Sequence, residues 1–473
     1  MKIVTTLGPV TQKPEAIDAL LDAGADVVRL NFAHSDVATH ERTIRTVRCR
    51  AAARGRTVGV LVDLPGPKMR TGTLAPESVA LEPGQEFTLV AGEVEGDHTR
   101  VSTTVDGLAG MVEGGDEIYL ADGEIVLQVT CVSGGDVHTT VVRGGVLRSR
   151  KGLHVPKAER RVKAFTEEDR EALRHAMGMG ADFIALSFVR DSDDLERARK
   201  AIAEIADGTR RGPSVVAKIE TASALECIRE IVAAADAVMV ARGDLGIQTP
   251  LKQVPLVQKR IIRACNEAGK PVITATQMLE SMTDSPLPTR AEVADVANAV
   301  LDGTDAVMLS EETAVGEHPV ETVQTMSDIA EAAAGWPRRH PGPLAAALQE
   351  DGVSWAVAHA AVQAAEDLEV KAILCPTRSG ATPRRVAAFR PSMPVVGVAQ
   401  ERETLGKLTL VWGVCPLGME AMPDARETQE EVDRVVRAAR DAGLIASGDL
   451  VAVVAGSPGP RAGRTDFLRI VRV

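Results

Sequence analysis

Short apolar runs with strand character alternate with stretches of helical periodicity, and the alternation repeats eight times. The strand-like runs are 3–7, 26–32, 58–64, 183–189, 215–219, 237–240, 271–274 and 306–309. Helical stretches at 14–23, 40–53, 167–177, 194–205, 224–235, 256–268, 290–301 and 320–333 follow or separate them. Thr166-Glu-Glu-Asp reads as a helix cap with early acidic residues, and Gly24, Gly180 and Gly269 stand where helices end. Eight such units fit a closed (β/α)8 barrel, the TIM barrel of an α/β chain, better than an open sheet.

The rhythm breaks between Arg70 and Lys163, where no good helix is found. Alternating stretches at 86–90, 117–120, 125–129 and 137–142, separated by Gly-Gly and Asp-Gly turns, predict a small inserted β domain, a β-barrel lid. An insertion after the third strand sits at the face where barrel enzymes keep their active sites, so it can exclude water. A Pro/Gly-rich stretch from Trp336 reads as a linker to a C-terminal α/β domain with strands at 372–375, 394–398, 450–455 and 467–473. The expected division is 1–69 and 164–337 for the barrel, 70–163 for the lid and 338–473 for the C-terminal domain. A chain of 473 residues has room for these parts.

Composition narrows the function. A net charge of −12 disfavours nucleic acid and anionic membrane as partners. Hydrophobic residues at 45% and charged residues at 25% exclude wholesale disorder, and no apolar run approaches a membrane span. The opening MKIVTTLGP reads as a strand rather than a signal peptide. Six scattered cysteines without a CxxC pair suit reduced thiols in the cytoplasm, and the histidines form no zinc motif.

A barrel should gather polar side chains just past its strand ends. Those positions hold Arg29, Asn31 and His34 after strand two, and Asp63, Lys68 and Arg70 after strand three. Ser187 follows at strand four, Lys218 and Glu220 at strand five, Gly243 and Asp244 at strand six, and Thr276 at strand seven. Glu220 and Asp244 are hard oxygen donors suited to Mg²⁺ or Mn²⁺, with water or substrate oxygens completing the shell. Lys218, Arg29 and Arg70 would face anionic groups. A divalent ion with several cations suits phosphoryl transfer, and the same groups could hold an enolate, which points to a phosphorylated enol acid. Singly, each motif has a plainer reading: Lys218–Glu220 as a solvated strand edge, Gly243-Asp244 as a turn, Asn31 and His34 as helix caps, Thr276 as a loop hydroxyl. The functional reading rests on their falling at one face. In the last domain, Thr377, Ser379, Gly380 and Thr382 open a helix, an arrangement that can bind phosphate or simply cap a turn.

The segments MKIVTTLGP, VVRLNFAH, VDLPGPKMRTG, ALSFVR, VAKIE, VMVARGDLG, ITATQMLESM, PTRAEVADVANAVLDGTDAVMLSEET and TRSGATPRRVAAFRP, in this order, resemble the pyruvate kinase family. The resemblance implies that phosphoenolpyruvate and ADP give pyruvate and ATP. It implies Arg29 at the substrate phosphate, Lys218 as stabiliser of the transition state, Glu220 and Asp244 on the divalent ion, and Gly243, Asp244 and Thr276 on the substrate. Thr276 would lie near the face where the enolate is protonated. Arg70, Lys151, Asn31 and His34 match nucleotide contacts. A homotetramer and a phosphate-bearing allosteric metabolite at Thr377, Ser379, Gly380 and Thr382 are implied as well.

The chain departs from the potassium-requiring pattern: Asn31, Ala33, Asp63 and Leu64 stand at the monovalent-ion positions, and Lys68 replaces a glutamate. The Lys68 ammonium is therefore expected to substitute for potassium, which would not be required. Two further readings compete: a metal-dependent aldolase or lyase acting through a pyruvate enolate, which needs no lid or nucleotide cations, and a non-catalytic metabolite sensor, against which Lys218, Glu220, Asp244 and Thr276 argue.

Overall fold

The structure is a computed structural model that describes residues 1–67, 69–121, 123–156, 164–206, 212–336, 344–420, 428–456 and 464–473. Lys68 and most of the expected linker, 337–343, lie outside the described residues.

Eight parallel strands close into a ring: β1 (Lys2–Thr6), β2 (Val27–Asn31), β3 (Gly59–Asp63), β4 (Phe183–Leu186), β5 (Ser214–Ile219), β6 (Ala237–Ala241), β7 (Val272–Ala275) and β8 (Ala306–Leu309). Each pairs with its neighbours in chain order, and β8 returns to β1 with Ala306 opposite Lys2. Nearly every strand residue is buried, which is why these segments read as continuous apolar runs. Val4, Leu61, Phe183, Met239 and Ile273 help to fill the shaft, while the outer faces pack on the helices through residues such as Val28, Leu30 and Val240.

The barrel helices follow the expected order with four differences, one being an additional short helix, Glu311–Ala314, after β8. Helix Val37–Ala53 starts earlier than 40 because the Asp36 side chain accepts from the Thr39 N–H at 2.9 Å. The stretch 224–235 is two helices, Ala222–Glu226 and Ile228–Ala234, broken at Cys227. A short helix, Arg242–Gln248, follows β6 where no helix is expected from the sequence. The Thr166 cap forms as a full capping box with Asp169, and Gly24, Gly180 and Gly269 all take positive φ.

The described part of the insertion after β3 is mainly β-sheet, with a short 3-10 helix at Leu108–Gly110. Strands Leu153–His154, Glu117–Leu120, Ile125–Ser133, Asp136–Arg143, Glu86–Val90 and Arg100–Ser102 form one sheet in that spatial order, and Ser78–Leu81 pairs with Gly145–Arg148. Phe87, Leu89, Ile118 and Leu127 give it a core of its own. Both connections to the barrel meet at Asp169, whose carboxylate accepts from the Gly66 N–H at 2.9 Å and from the Thr166 N–H and hydroxyl at 2.9 and 2.8 Å.

The C-terminal domain is a five-stranded sheet of β9 (Ala372–Pro376), β10 (Val395–Ala399), β11 (Val414–Gly418), β12 (Leu450–Ala455) and β13 (Phe467–Arg472), in the order β11-β10-β9-β12-β13. Only β13 runs antiparallel to its neighbour. The edge strand β11 has no counterpart among the expected strands. It carries Pro416 and is half exposed, so it lacks the apolar alternation that marks a strand. This domain closes the lower end of the barrel: Leu410 is fully buried among the shaft residues. Arg390 pairs with Asp305 at 2.9 Å, and Asp182 holds Arg48 at 2.6 Å and Arg402 at 3.5 Å.

Candidate active site

Lys218 and Glu220 are two residues apart at the end of β5 and so point to the same side of the strand. The Lys218 ammonium lies 2.9 Å from Glu220 Oε1, 3.2 Å from Asp63 Oδ1 and 2.9 Å from the Ser187 hydroxyl. Neighbouring strands β3, β4 and β5 thus each supply one oxygen to a buried cation. Burial alone would lower the Lys218 pKa, but Asp63 and Glu220 outweigh it and raise it. Lys218 therefore stays charged across the working pH range.

Asp63 links this cation to a second. Arg29, on β2, donates its Nε and Nη2 to Asp63 Oδ2 at 3.0 and 2.7 Å and its Nη1 to the Thr6 hydroxyl at 3.0 Å. Burial works against the Asp63 charge, yet Lys218 and Arg29 hold its pKa below the usual carboxylate value. These bonds use three of the five guanidinium donors of Arg29.

Glu220 is fixed on its other side by the Phe188 N–H, 2.6 Å from Oε2, with Phe188 in the left-handed region at φ 55°. Asp244, at the start of the helix after β6, lies close enough to Glu220 for that charge to act on it. Burial and the Glu220 charge push its pKa up to about 7. Two crowded carboxylates offering only oxygen donors suit a hard divalent cation, which would relieve their repulsion. Among the described residues no group of three or more His, Cys, Asp or Glu side chains is arranged to hold a metal alone. Water or substrate oxygens would have to complete the shell.

Thr276 faces this pair from β7. Its hydroxyl accepts from the Gly243 N–H at 2.9 Å and donates to the Ala275 carbonyl at 2.6 Å. Thr276 and Gln277 both hold positive φ, at 67° and 53°, without being glycine. Such conformations cost about 1–3 kcal/mol each and persist only where surrounding contacts fix them.

The structure thus brings together Arg29, Asp63, Ser187, Lys218, Glu220, Gly243, Asp244 and Thr276, all named from the sequence, and adds Thr6. Asn31 and His34 engage in local structure: the Asn31 side chain accepts from the Ala33 N–H at 3.0 Å, and the His34 carbonyl bonds the His40 ring at 2.7 Å. Arg70 and Lys151 lie at the base of the insertion, where Arg70 bridges Gly152 and donates to the Arg150 carbonyl at 3.1 Å. The insertion reaches the barrel mouth. His154 is near enough to Asp244 to favour its charge, and a Cβ on Gly123 would come 3.5 Å from Ile247.

Thr377, Ser379, Gly380 and Thr382 lie in the C-terminal domain, apart from this cluster. The Thr377 hydroxyl accepts from the Gly380 N–H at 2.9 Å, so the loop caps itself. Thr382 is buried, its hydroxyl 2.9 Å from that of Thr465.

Comparison with known proteins agrees with this arrangement. Residues 1–323 match the family described as "Pyruvate kinase, barrel domain", and residues 355–471 match "Pyruvate kinase, alpha/beta domain". The pyruvate kinase of Geobacillus stearothermophilus is 42% identical over 99% of this chain and 79% of its own length. That of Mycobacterium tuberculosis is 41% identical over 100% of this chain and 98% of its own. The crystal structure of a Cryptosporidium parvum pyruvate kinase superposes with a TM-score of 0.90 at 33% identity, covering 100% of this chain and 95% of that one. These matches give no support to the aldolase or lyase alternative. On these matches, along nearly its whole length, the chain belongs to the pyruvate kinase family.

Proposed function

We propose that the cluster at the barrel mouth is where this chain carries out its family's reaction, transferring the phosphoryl group of phosphoenolpyruvate to ADP. The observation that carries this reading is a buried Lys218 ammonium held 2.9 Å from Glu220, with Asp244 beside that carboxylate. The phosphorus–oxygen bond to the enol breaks while a new one forms to the terminal phosphate of ADP. Lys218 stabilises charge spreading over the phosphoryl oxygens, and Arg29 presents its two remaining donors to the same group. Glu220 and Asp244 would hold a divalent ion, Mg²⁺ or Mn²⁺, which supplies further positive charge when bound. The enolate left behind takes a proton at carbon on the side of Thr276, and Gly243 and Asp244 line the substrate's other edge. Arg70 and Lys151, and less directly Asn31 and His34, serve the nucleotide phosphates, while the insertion (70–163) covers the site and excludes water. Residues 1–69 and 164–337 then form the catalytic domain, and 338–473 the regulatory one.

An assay for ADP-dependent pyruvate release tests the activity. Lys218→Met should lower kcat by about 100- to 1000-fold while Arg29 still neutralises Asp63. Near-normal turnover in that variant would mean that Lys218 does not stabilise the transferring phosphoryl group. Lys68 supplies the charge that potassium would bring, so activity should survive exchange of potassium for tetramethylammonium. Collapse in that medium would show that the ion is required after all.

Three wider features belong to the same proposal. The self-capped loop of Thr377, Ser379 and Gly380, with Thr382 behind it, takes a phosphate-bearing metabolite that regulates turnover. Leu251, Leu256 and Leu287 are 79%, 66% and 73% exposed, which supports self-association into a homotetramer. The six cysteines are all free, which supports a cytoplasmic location. Among the described residues no helix is long and apolar enough to cross a membrane.

A further inference from the structure

We propose that Arg242 is a positioning residue for the enolate half of the reaction, holding the turn that presents the Thr276 hydroxyl. This rests on Thr276 standing on the side where the enolate takes its proton. Arg242 opens the helix after β6, but its side chain crosses to the end of β7. There Nε lies 3.2 Å from both the Ala275 and Thr276 carbonyls, and Nη2 lies 2.6 Å from the Thr276 carbonyl and 3.1 Å from that of Gln277. Three consecutive carbonyls therefore converge on one guanidinium. Nη1 points the other way, to the Asp295 carboxylate and to Gln258 Oε1 at 3.4 Å, which anchors the side chain from behind.

The carbonyls so gathered belong to the turn with two successive non-glycine residues at positive φ, Thr276 and Gln277. A conformation of that kind needs external contacts to hold it. The same contacts set the hydroxyl. Thr276 donates to the Ala275 carbonyl, one of the three acceptors of Arg242, and accepts from Gly243, the residue next to Arg242. The backbone and the side chain of Thr276 are thus clamped by one dipeptide. Arg242 is 9% exposed, so water offers little replacement. A lysine would place a single point charge where a flat fork is needed, and it could not span three carbonyls.

The test compares Arg242→Lys, Thr276→Val and the double variant in the full chain. Two readings are taken: kcat for pyruvate formation, and enzyme-catalysed exchange of pyruvate methyl hydrogens with heavy water, which follows proton transfer without phosphoryl transfer. Arg242→Lys should lower both by about 100-fold and leave the KM for ADP unchanged. In the Thr276→Val background the same change should cost almost nothing more. Arg242→Ala should regain exchange when guanidinium is added, which separates lost positioning from failed folding. An undiminished Arg242→Lys penalty in the double variant, or wild-type exchange in Arg242→Lys, overturns the proposal. If Thr276→Val alone leaves both readings unchanged, the assignment of Thr276 falls, and the proposal falls with it.

Discussion

Asp244 shares its surroundings with Glu220, and burial together with that neighbouring charge lifts its pKa to about 7. In the ion-free protein it therefore carries a proton at pH values below about 7 and loses it above. A divalent ion held by both carboxylates must expel that proton. Ion affinity should rise with pH up to about 7 and level off beyond it. Calorimetry in buffers of different ionisation enthalpy should find close to one proton released per ion in the acid range and almost none in the alkaline range. Asp244→Asn should abolish the pH dependence and weaken binding. Proton release that stays constant across the range would mean that the two carboxylates do not share the ion. At this scale the sequence is legible where chemistry lies in side chains with regular spacing. Lys218 and Glu220 stand out because alternate strand residues share a face. The roles of Arg242 and Phe188 leave no such trace. Arg242 acts on backbone carbonyls 33 to 35 positions away, and Phe188 acts through its own N–H.

At the scale of elements, parallel strands buried on both faces announce themselves as unbroken apolar runs, and all eight barrel strands are legible for that reason. The short helix Arg242–Gln248 is not, because its glycines and Asp244 read as a turn. β11 is hidden by its proline and its exposed edge. Asp169 is a further element-level device, since the capping box of one helix also ties both connections of the insertion. Asp169→Ala would leave the Gly66 and Thr166 N–H groups without their acceptor. A loss of about 2–4 kcal/mol in local stability is expected. Hydrogen exchange at Gly66 and at 164–166 should quicken while the strands of the barrel keep their protection. Unchanged exchange at Gly66 would mean that other contacts hold the connections.

For the whole molecule, the C-terminal domain is more than an appendage to a pyruvate kinase barrel. Thr409 sits where a Cβ on Gly59 would come within 2.2 Å of its hydroxyl oxygen, and Asp182 sits as close to a Cβ on Gly406. Both glycines lie at the boundary between the two domains, and neither position admits alanine unless Thr409 or Asp182 gives way. Leu410→Ala should cost about 2–5 kcal/mol of stability, read by denaturant unfolding, with kcat little changed at low temperature. A loss below about 1 kcal/mol would mean that the shaft collapses onto the space left by the leucine.

Leu410 also sets how this molecule can be divided. A fragment ending after the eighth strand–helix unit would retain the catalytic side chains, yet its floor would be an open greasy well. Such a piece should clump on expression instead of behaving as a minimal enzyme. The two modules would then have to be inherited and engineered as one body.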